Sequence, residues 1–193
     1  MSSRTSTMSI FNQALAILGG EQLSSVQAPW ENSTLGRLCL NLWPPVLDDA
    51  LSAHPWSFAL ARELLAEKEE PRPRPGYPHR YALPADCLRP VGLTGGHHFV
   101  IEGLDLLTSA AAAEMMFVRR VEDPSLFPPA FRQALVWGMG AALSTAKNND
   151  PRVRQECLQR SQSYLLEAVA RDENSQRPAI ETTPWELARL GKR

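Results

Sequence analysis

Proline is the residue that most constrains how this chain folds. Sixteen of the 193 residues are proline, about 8% against a usual ~5%. A proline lacks the backbone N–H donor and fixes φ, so it kinks or ends a helix when it falls in the interior. The prolines are also grouped, at Pro44-Pro45, at 71–75 and at 124–129. The sequence therefore predicts elements separated by rigid connectors rather than a plain bundle with short loops.

Apolar residues recur at helical spacing in five stretches. These are residues 7–18, 32–51, 56–66, 130–147 and 151–172. Asn32 or Ser33 is the expected N-cap of the second helix, and Pro151 is the expected first residue of the last one. Within the second stretch, Pro44-Pro45 predicts either a sharp kink near Trp43 or a break with a new helix starting at the prolines.

The middle of the chain has a different pattern. Short β-prone runs occupy residues 81–83, 88–93, 98–102 and 115–121. A hairpin turning at Gly95-Gly96, followed by an adjacent strand, would give a small antiparallel sheet of three or four strands. The preceding residues 67–80 alternate proline with arginine, which favours an extended spacer over an SH3-type ligand.

Two helical blocks thus flank a small β region. We expect a mainly α protein, an antiparallel helical bundle with a small inserted antiparallel β-sheet and an extended C-terminal arm. We expect the N-terminal helices of the bundle at residues 1–66, the spacer at 67–80 and the β region at 81–121. The C-terminal helices of the bundle are expected at 122–172 and the arm, with its short capped helix, at 173–193.

The arm contains a polar linker and a short helix signal. Residues 174–182 are polar and include Pro178, which predicts a frayed terminus. Thr183-Pro184-Trp185-Glu186 then forms a capping box, and Gly191 can end the helix. A helix of two turns is not stable alone in water, so this one is expected to dock. Physical reasoning leaves open whether Trp185 anchors to its own domain or to a partner subunit.

Charge and cysteine content exclude several classes. Twenty basic and twenty-one acidic residues give a net charge of −1, which removes the bulk attraction that drives sequence-independent DNA binding. The three cysteines have no C-x-x-C spacing, which argues against a disulfide framework or a zinc site and fits a reducing cytoplasm. We expect neither a signal peptide nor a membrane span, because the N-terminus has no continuous apolar run and no stretch approaches ~18 apolar residues.

Catalytic signatures are few. The sequence has no phosphate-binding glycine loop, no H-E-x-x-H and no G-x-S-x-G. Cys87 beside Asp86, with His97-His98 ten residues later, is the one candidate nucleophile pair, but no partner that would orient the base is evident. On a strand His97 and His98 would point to opposite faces, so they are expected to be solvated rather than to share a metal.

Other conspicuous side chains favour ordinary structural roles. Two arginine pairs could contact phosphate, but charges at a strand edge or in the first turn of a helix are usually solvated. Four tryptophans are expected in or near the core rather than on a stacking surface. The arginines are Arg119, Arg120, Arg152 and Arg154, and the tryptophans are Trp30, Trp43, Trp56 and Trp137.

An ordered set of short motifs runs through most of the chain. They are Asn12-x-Ala14-Leu15-x-x-Leu18-Gly19, Ala50-Leu51-x-x-His54-Pro55-Trp56-x-Phe58-Ala59, Tyr81-x-Leu83-Pro84-x-Asp86-Cys87-Leu88-Arg89, Phe99 to Gly103, and Asp123-Pro124-x-Leu126-Phe127-Pro128 before a helical pair. Taken together, the set resembles the head-to-tail adaptors of short-tailed bacteriophages, the family of tail tubular protein A. Pro44-Pro45 and the 71–75 prolines depart from the family pattern.

The resemblance implies a non-enzymatic virion protein with no cofactor or metal, made in the bacterial cytoplasm and located at the neck of the virion. It would form a ring, usually of twelve subunits, between the portal protein and a tail nozzle protein, without membrane contact. DNA would pass through the channel without tight binding, as a nearly neutral chain allows. The arm would bind the portal through Trp185, Leu187 and Leu190, with Arg189, Lys192 and Arg193 at the rim. The alternative is a small helical nucleic-acid-binding or regulatory module.

Overall fold

The computed structural model describes residues 6–24, 29–68, 75–147 and 151–176. In these residues four α-helices accompany six β-strands. The helices are α1 (Thr7–Ile17), α2 (Thr34–Ser52), α3 (Pro129–Lys147) and α4 (Pro151–Gln176). The strands are β1 (Leu60–Leu64), β2 (His79–Ala82), β3 (Cys87–Leu93), β4 (Phe99–Glu102), β5 (Asp105–Thr108) and β6 (Glu114–Arg119). Short 3-10 turns precede α2, at Trp30–Asn32, and α3, at Pro124–Leu126.

Four of the five predicted helices are confirmed, and the start signals of α2 and α4 are those read from the sequence. The Ser33 side chain accepts a hydrogen bond from the Gly36 N–H at 2.9 Å and caps α2. Ser6 caps α1 in the same way through the Ser9 N–H. Pro151 is the first residue of α4, where a missing N–H costs nothing because that donor would be unpaired anyway.

Of the two outcomes predicted at Pro44-Pro45, the break with a new helix is wrong, because α2 continues through both prolines to Ser52. The kink near Trp43 stays a prediction. The carbonyls that lose their donors are those of Leu40 and Asn41, and both residues are exposed, so water can satisfy them. The opposite face of α2 is buried and holds the helix in place through Cys39, Trp43, Leu47 and Leu51.

The predicted helix over residues 56–66 is also wrong. After a tight turn, in which the Ala59 and Leu60 N–H groups donate to the Trp56 carbonyl, the chain forms β1. The sequence Leu-Ala-Arg-Glu-Leu favours a helix locally. Antiparallel pairing of β1 with β6, from Leu60 opposite Val118 to Leu64 opposite Glu114, overrides that preference.

The strands form two antiparallel sheets of three strands each. The first sheet has the order β1-β6-β3 and the second has the order β2-β5-β4. The Gly95-Gly96 hairpin prediction is therefore wrong, since the strands on either side of it, β3 and β4, lie in different sheets. Both glycines do have positive φ values, 83° and 71°, and they turn the chain from one sheet to the other.

The first sheet lies between two apolar clusters. Val118 on β6 packs into the larger cluster, which is formed mainly by the helices. The adjacent Phe117 points to the opposite face and packs with Tyr81 and Leu106 of the second sheet. The molecule is thus layered as helices, first sheet and second sheet, and β6 belongs to both cores.

The fold class expected from the sequence is therefore corrected. The structure is mixed α/β, with two three-stranded sheets, rather than mainly an α bundle with one small sheet. The described ends of the expected 67–80 spacer take part in the second sheet, where the Lys68 N–H donates to the Arg80 carbonyl at 2.8 Å. The rest of that spacer, residues 69–74, lies outside the described residues, and the expected segment boundaries stay a prediction.

Candidate functional site

The residues predicted to bind a partner all lie in the C-terminal arm. Trp185, Leu187, Arg189, Leu190, Lys192 and Arg193 fall outside the described residues, which end at Gln176. Their role therefore stays a prediction. The structure does describe the part of α4 from which the arm continues, and this part contains the buried Asp172.

A buried carboxylate fixes the last turn of α4. Asp172 is only 7% exposed, and its carboxylate accepts hydrogen bonds from the Ser57 backbone N–H at 3.1 and 3.2 Å and from the Ser57 hydroxyl. The Nε2 atom of His54 lies 3.4 Å from the same carboxylate. Because a buried carboxylate without partners is costly, these contacts tie the end of α4 to the loop between α2 and β1.

The loop that holds Asp172 is the His54-Pro55-Trp56 motif. Trp56 is fully buried, and its indole Nε1–H donates to the Ala50 carbonyl at 3.0 Å. Its ring meets Phe131 of α3 edge to face, with the ring centroids 5.0 Å apart. The tryptophan therefore holds the loop rigidly, and the loop in turn positions Ser57 and His54 for Asp172.

An apolar depression lies next to this anchor. It has a volume of about 220 Å³ and is lined by proline and alanine residues of α3, its preceding turn and α4, together with Ser57, Arg171, Asp172 and Ser175. A second open groove of about 220 Å³ runs between α2 and α4, with Gly138 of α3 in its floor. Both depressions are open at the surface and smaller than the clefts of about 300–1,000 Å³ that are typical of small-molecule sites.

The structure does not assemble the candidate Cys/His pair. Cys87 begins β3 and His97-His98 follow its other end, so a seven-residue strand of roughly 20 Å separates them. Burial, and then the neighbouring Asp86, raise the pKa of the Cys87 thiol to about 11. The thiol is therefore protonated at neutral pH and is a poor nucleophile.

The remaining conspicuous residues have structural surroundings. Arg119 pairs with Asp86 at 2.8 Å and Arg120 pairs with Asp48 at 2.9 Å. Arg152 and Arg154 are exposed at the start of α4. Trp30, Trp43 and Trp56 lie in or against the main core, as predicted. Trp137 is partly buried beneath the guanidinium of Arg160, 4.8 Å from its ring centroid. Within the described ranges, no group of three His, Cys, Asp or Glu side chains could hold a metal ion.

The sequence analysis did not predict one charged cluster, which surrounds Asp105. Asp105, 6% exposed, receives hydrogen bonds from Lys68 and from the guanidinium of Arg80, whose Nε lies 2.7 Å from Oδ2. These bonds hold the pKa of the Asp105 carboxyl below its usual range, against an opposing effect of burial. Arg80 and Lys68 lie 25 and 37 positions before Asp105 in the sequence, so no local spacing indicates the cluster.

The sequence matches no protein-family profile and no curated protein. Among the residues that the structure describes, no helix is both long and apolar enough to cross a lipid bilayer.

Proposed function

We propose that this chain is a structural assembly protein, a head-to-tail adaptor of the kind found in short-tailed bacteriophages. It would form a ring between the portal and the tail nozzle and bind the portal through its C-terminal arm. The observation that carries this proposal is the connection between the His54-Pro55-Trp56 motif and Asp172, four residues before the last described residue. The residues that carry the family resemblance thereby fix the point from which the arm continues.

Other residues of the resemblance also support a shared fold rather than a shared reaction centre. The Asn12 side chain makes two hydrogen bonds with the Leu23 backbone, at 2.7 and 3.0 Å, and holds the chain that follows α1. The Asp123 side chain accepts from the Ser125 N–H at 2.9 Å and starts the turn before α3. These contacts order the backbone between helices. A protein whose role is to form a ring depends on such an ordered subunit.

The buried charges support a structural role as well. Asp105 and Asp172 are the two buried carboxylates of the described residues, and hydrogen bonds from this chain's own groups bind both of them. A carboxylate held in this way orders the fold. In the depression beside Asp172, the Ser57 hydroxyl donates its hydrogen bond to this carboxylate and so takes part in the same anchor.

The arm has the chemistry of a ligand that folds on its partner. A capped helix of two turns becomes stable when its apolar side chains enter a groove. Trp185 would be the main anchor, since tryptophan dominates interface energetics, and the basic residues at the end would contact acidic groups at the rim. The alternative assignment of Trp185, to its own domain, is an outcome of the experiment below.

The decisive experiment measures the mass of the protein alone and mixed with its cognate portal protein, by native mass spectrometry or light scattering. We expect a stoichiometric ring, of about twelve subunits as the resemblance implies, to form on the portal. Deletion of residues 179–193 should leave the circular dichroism spectrum and melting temperature of the folded part unchanged and abolish portal binding.

Point variants separate the anchor from general surface effects. Trp185→Ala should weaken portal binding by about 30-fold or more, the loss of an interface hot spot. The matched control is Leu166→Ala, since Leu166 is 71% exposed on α4 and should not change binding. Portal binding that survives the deletion would contradict the assignment of the arm. A protein that ignores the portal and binds DNA with a steep salt dependence would instead support the nucleic-acid-binding alternative.

A further inference from the structure

The four outer edges of the two sheets differ in how they are protected. Natural proteins block exposed strand edges with proline, bulges, charges or covering chain, because an open edge pairs with other strands. On the outer edge of β3, Pro90 and two register shifts interrupt the strand. The outer edge of β2 is covered by residues 66–68, whose backbone bonds to Arg80 and Ala82. On β1, the outward-facing Arg62 is charged, and it stands next to Glu63.

The outer edge of β4 carries none of these devices along most of its length. Its sequence is Phe-Val-Ile-Glu, it contains no proline, and its register with β5 is regular from Phe99 to Glu102. Glu102, at the end next to the turn, is its one charged residue. Ile101 is 37% exposed and Leu104, in the adjacent turn, is 80% exposed. Within the described parts of the chain, β4 is therefore the least protected strand edge.

The pairing pattern shows which backbone groups face outward on this edge. The two-residue turn at Gly103-Leu104 makes Glu102 and Asp105 a hydrogen-bonded pair, and the pattern then alternates along the strand. Val100 and Glu102 therefore bond to β5, whereas the N–H and C=O groups of Phe99 and Ile101 point away from the sheet.

This edge is complementary to itself. When two copies of β4 run antiparallel about a two-fold axis at Val100, Phe99 of one copy lies opposite Ile101 of the other. These are the residues whose backbone groups face outward, so both pairs close two hydrogen bonds each. Their apolar side chains meet on one face, and His98 lies opposite Glu102 at both ends, which places a carboxylate against an imidazole.

We propose that β4 is a self-association surface, through which two copies of the free protein pair edge to edge and join their second sheets into one six-stranded sheet. Every other register loses part of this match. A shift by one residue places outward-facing backbone groups opposite inward-facing ones, and a shift by two removes both Phe99–Ile101 pairs. The occupant that fits the edge is thus a second copy of this chain.

The proposal is independent of the head-to-tail role. Subunits of a closed ring are related by a single rotation axis, so a two-fold contact does not occur between neighbours in such a ring. The pair is therefore a state of the protein before it meets other components. It is also a weak one, because five residues from each copy bury less than the ~1,200 Å² typical of stable specific interfaces.

The first test is sedimentation of the full chain without partners, from about 5 to about 500 µM, a range in which mass action reveals weak dimers. We expect concentration-dependent dimers. Ile101→Lys places two charges beside the two-fold axis and should weaken dimerisation at least about tenfold. Leu166→Lys makes the same change at an exposed leucine of α4 and should leave dimerisation unchanged.

The second test fixes the register. In the proposed dimer, Val100 of one copy lies opposite Val100 of the other as a non-hydrogen-bonded pair. The Cα atoms of such a pair are about 4.5 Å apart, which is within the range that a disulfide needs. Val100→Cys should therefore form a disulfide-linked dimer under mild oxidation. His98→Cys should not, because the two residues 98 would be separated by about four residues of strand, roughly 13 Å. Both variants are made with Cys87→Ser, since Cys39 and Cys157 are buried.

Three results would overturn the proposal. The first is a protein that stays monomeric throughout the concentration range. The second is a dimer that Ile101→Lys does not weaken. The third is His98→Cys crosslinking as readily as Val100→Cys, which would mean that any contact is not in this register. A folded Val100→Cys protein, checked by circular dichroism, keeps the crosslinking result interpretable even if Ile101→Lys reduces stability.

Discussion

Asp105 stabilises the second sheet by linking parts of the chain that are far apart in sequence. Its carboxylate lies between Lys68, which follows β1, and Arg80 on β2. A hydrogen-bonded carboxylate is favoured in its charged form, which is why the pKa of Asp105 is lowered in the folded state. The unfolded chain then binds more protons than the folded one between the lowered pKa and the ordinary value near ~3.9.

Asp105→Asn should therefore destabilise the protein in a pH-dependent way. At neutral pH we expect a loss of about 2 kcal/mol in the free energy of unfolding, the usual effect of removing hydrogen bonds to charged groups. As the pH falls below ~3.9, the Asp105 carboxyl of the unfolded chain takes up a proton while the folded one is still charged, so the wild-type advantage and the difference should shrink. Urea denaturation at several pH values measures this difference in the free energy of unfolding.

The control is Asp86→Asn, which removes a half-exposed ion pair with Arg119 and should cost less than about 1 kcal/mol. A difference that stays constant down to pH ~2.5 would contradict the explanation.

Cys87 offers a second test at one side chain. Because its pKa is about 11, the reactive thiolate is a very small fraction at neutral pH. Alkylation by iodoacetamide, followed by mass spectrometry, should be slow at pH 7 and should still rise about tenfold per unit up to pH ~10. Cys87→Ser identifies the modified site. Rapid reaction at pH 7 would indicate an activated thiol and would reopen the catalytic interpretation.

Glycine has a packing role at the start of α2. A β-carbon added to Gly36 would lie 2.0 Å from the Trp30 carbonyl oxygen, a backbone atom that cannot move by rotating a side chain. Trp30 in turn packs edge to face on Phe11 of α1, with centroids 5.8 Å apart. The absence of a side chain at position 36 lets α2 and the preceding 3-10 turn approach this closely.

Gly36→Ala should therefore destabilise the protein by about 1–3 kcal/mol, although alanine normally favours a helix over glycine. Thermal denaturation followed by circular dichroism measures the effect. Gly92→Ala is the matched control, since a β-carbon there meets nothing within 4 Å and φ is not positive. Stabilisation of the Gly36→Ala protein would show that the turn before α2 shifts at no cost.

The elements that the sequence predicted correctly are those with local signals. Ser33 at the start of α2 and Pro151 at the start of α4 act through the adjacent backbone, so their neighbours are enough to identify them. The helix predicted at β1 is wrong because the pairing of β1 with β6 depends on residues fifty or more positions away. β5 was missed because its four residues become a strand only between β2 and β4. The Asp105 and Asp172 clusters escaped prediction for the same reason, since their partners are distant in the chain.

β6 connects the two cores of the whole molecule. Val118 contributes to the helix-side cluster and Phe117 to the cluster shared with the second sheet. If either cluster unfolds, the apolar side chains on one face of β6 become exposed to water, which is unfavourable. The layers should therefore unfold together, as small domains commonly do.

Phe117→Ala tests this coupling between the sheets and the helices. The side chain is fully buried, so its truncation should cost about 3–5 kcal/mol and lower the melting temperature by about 10 °C. Far-UV circular dichroism reports mainly on the helices, which do not contain the substitution, and it should nonetheless show the whole shift in a single transition. Leu104→Ala, at an 80% exposed position in the turn between β4 and β5, should leave the midpoint of that transition unchanged. If the sheets unfold separately, the helical transition will keep its wild-type midpoint and a second transition will appear below it. That result would divide the molecule into two independent units, one on each side of β6.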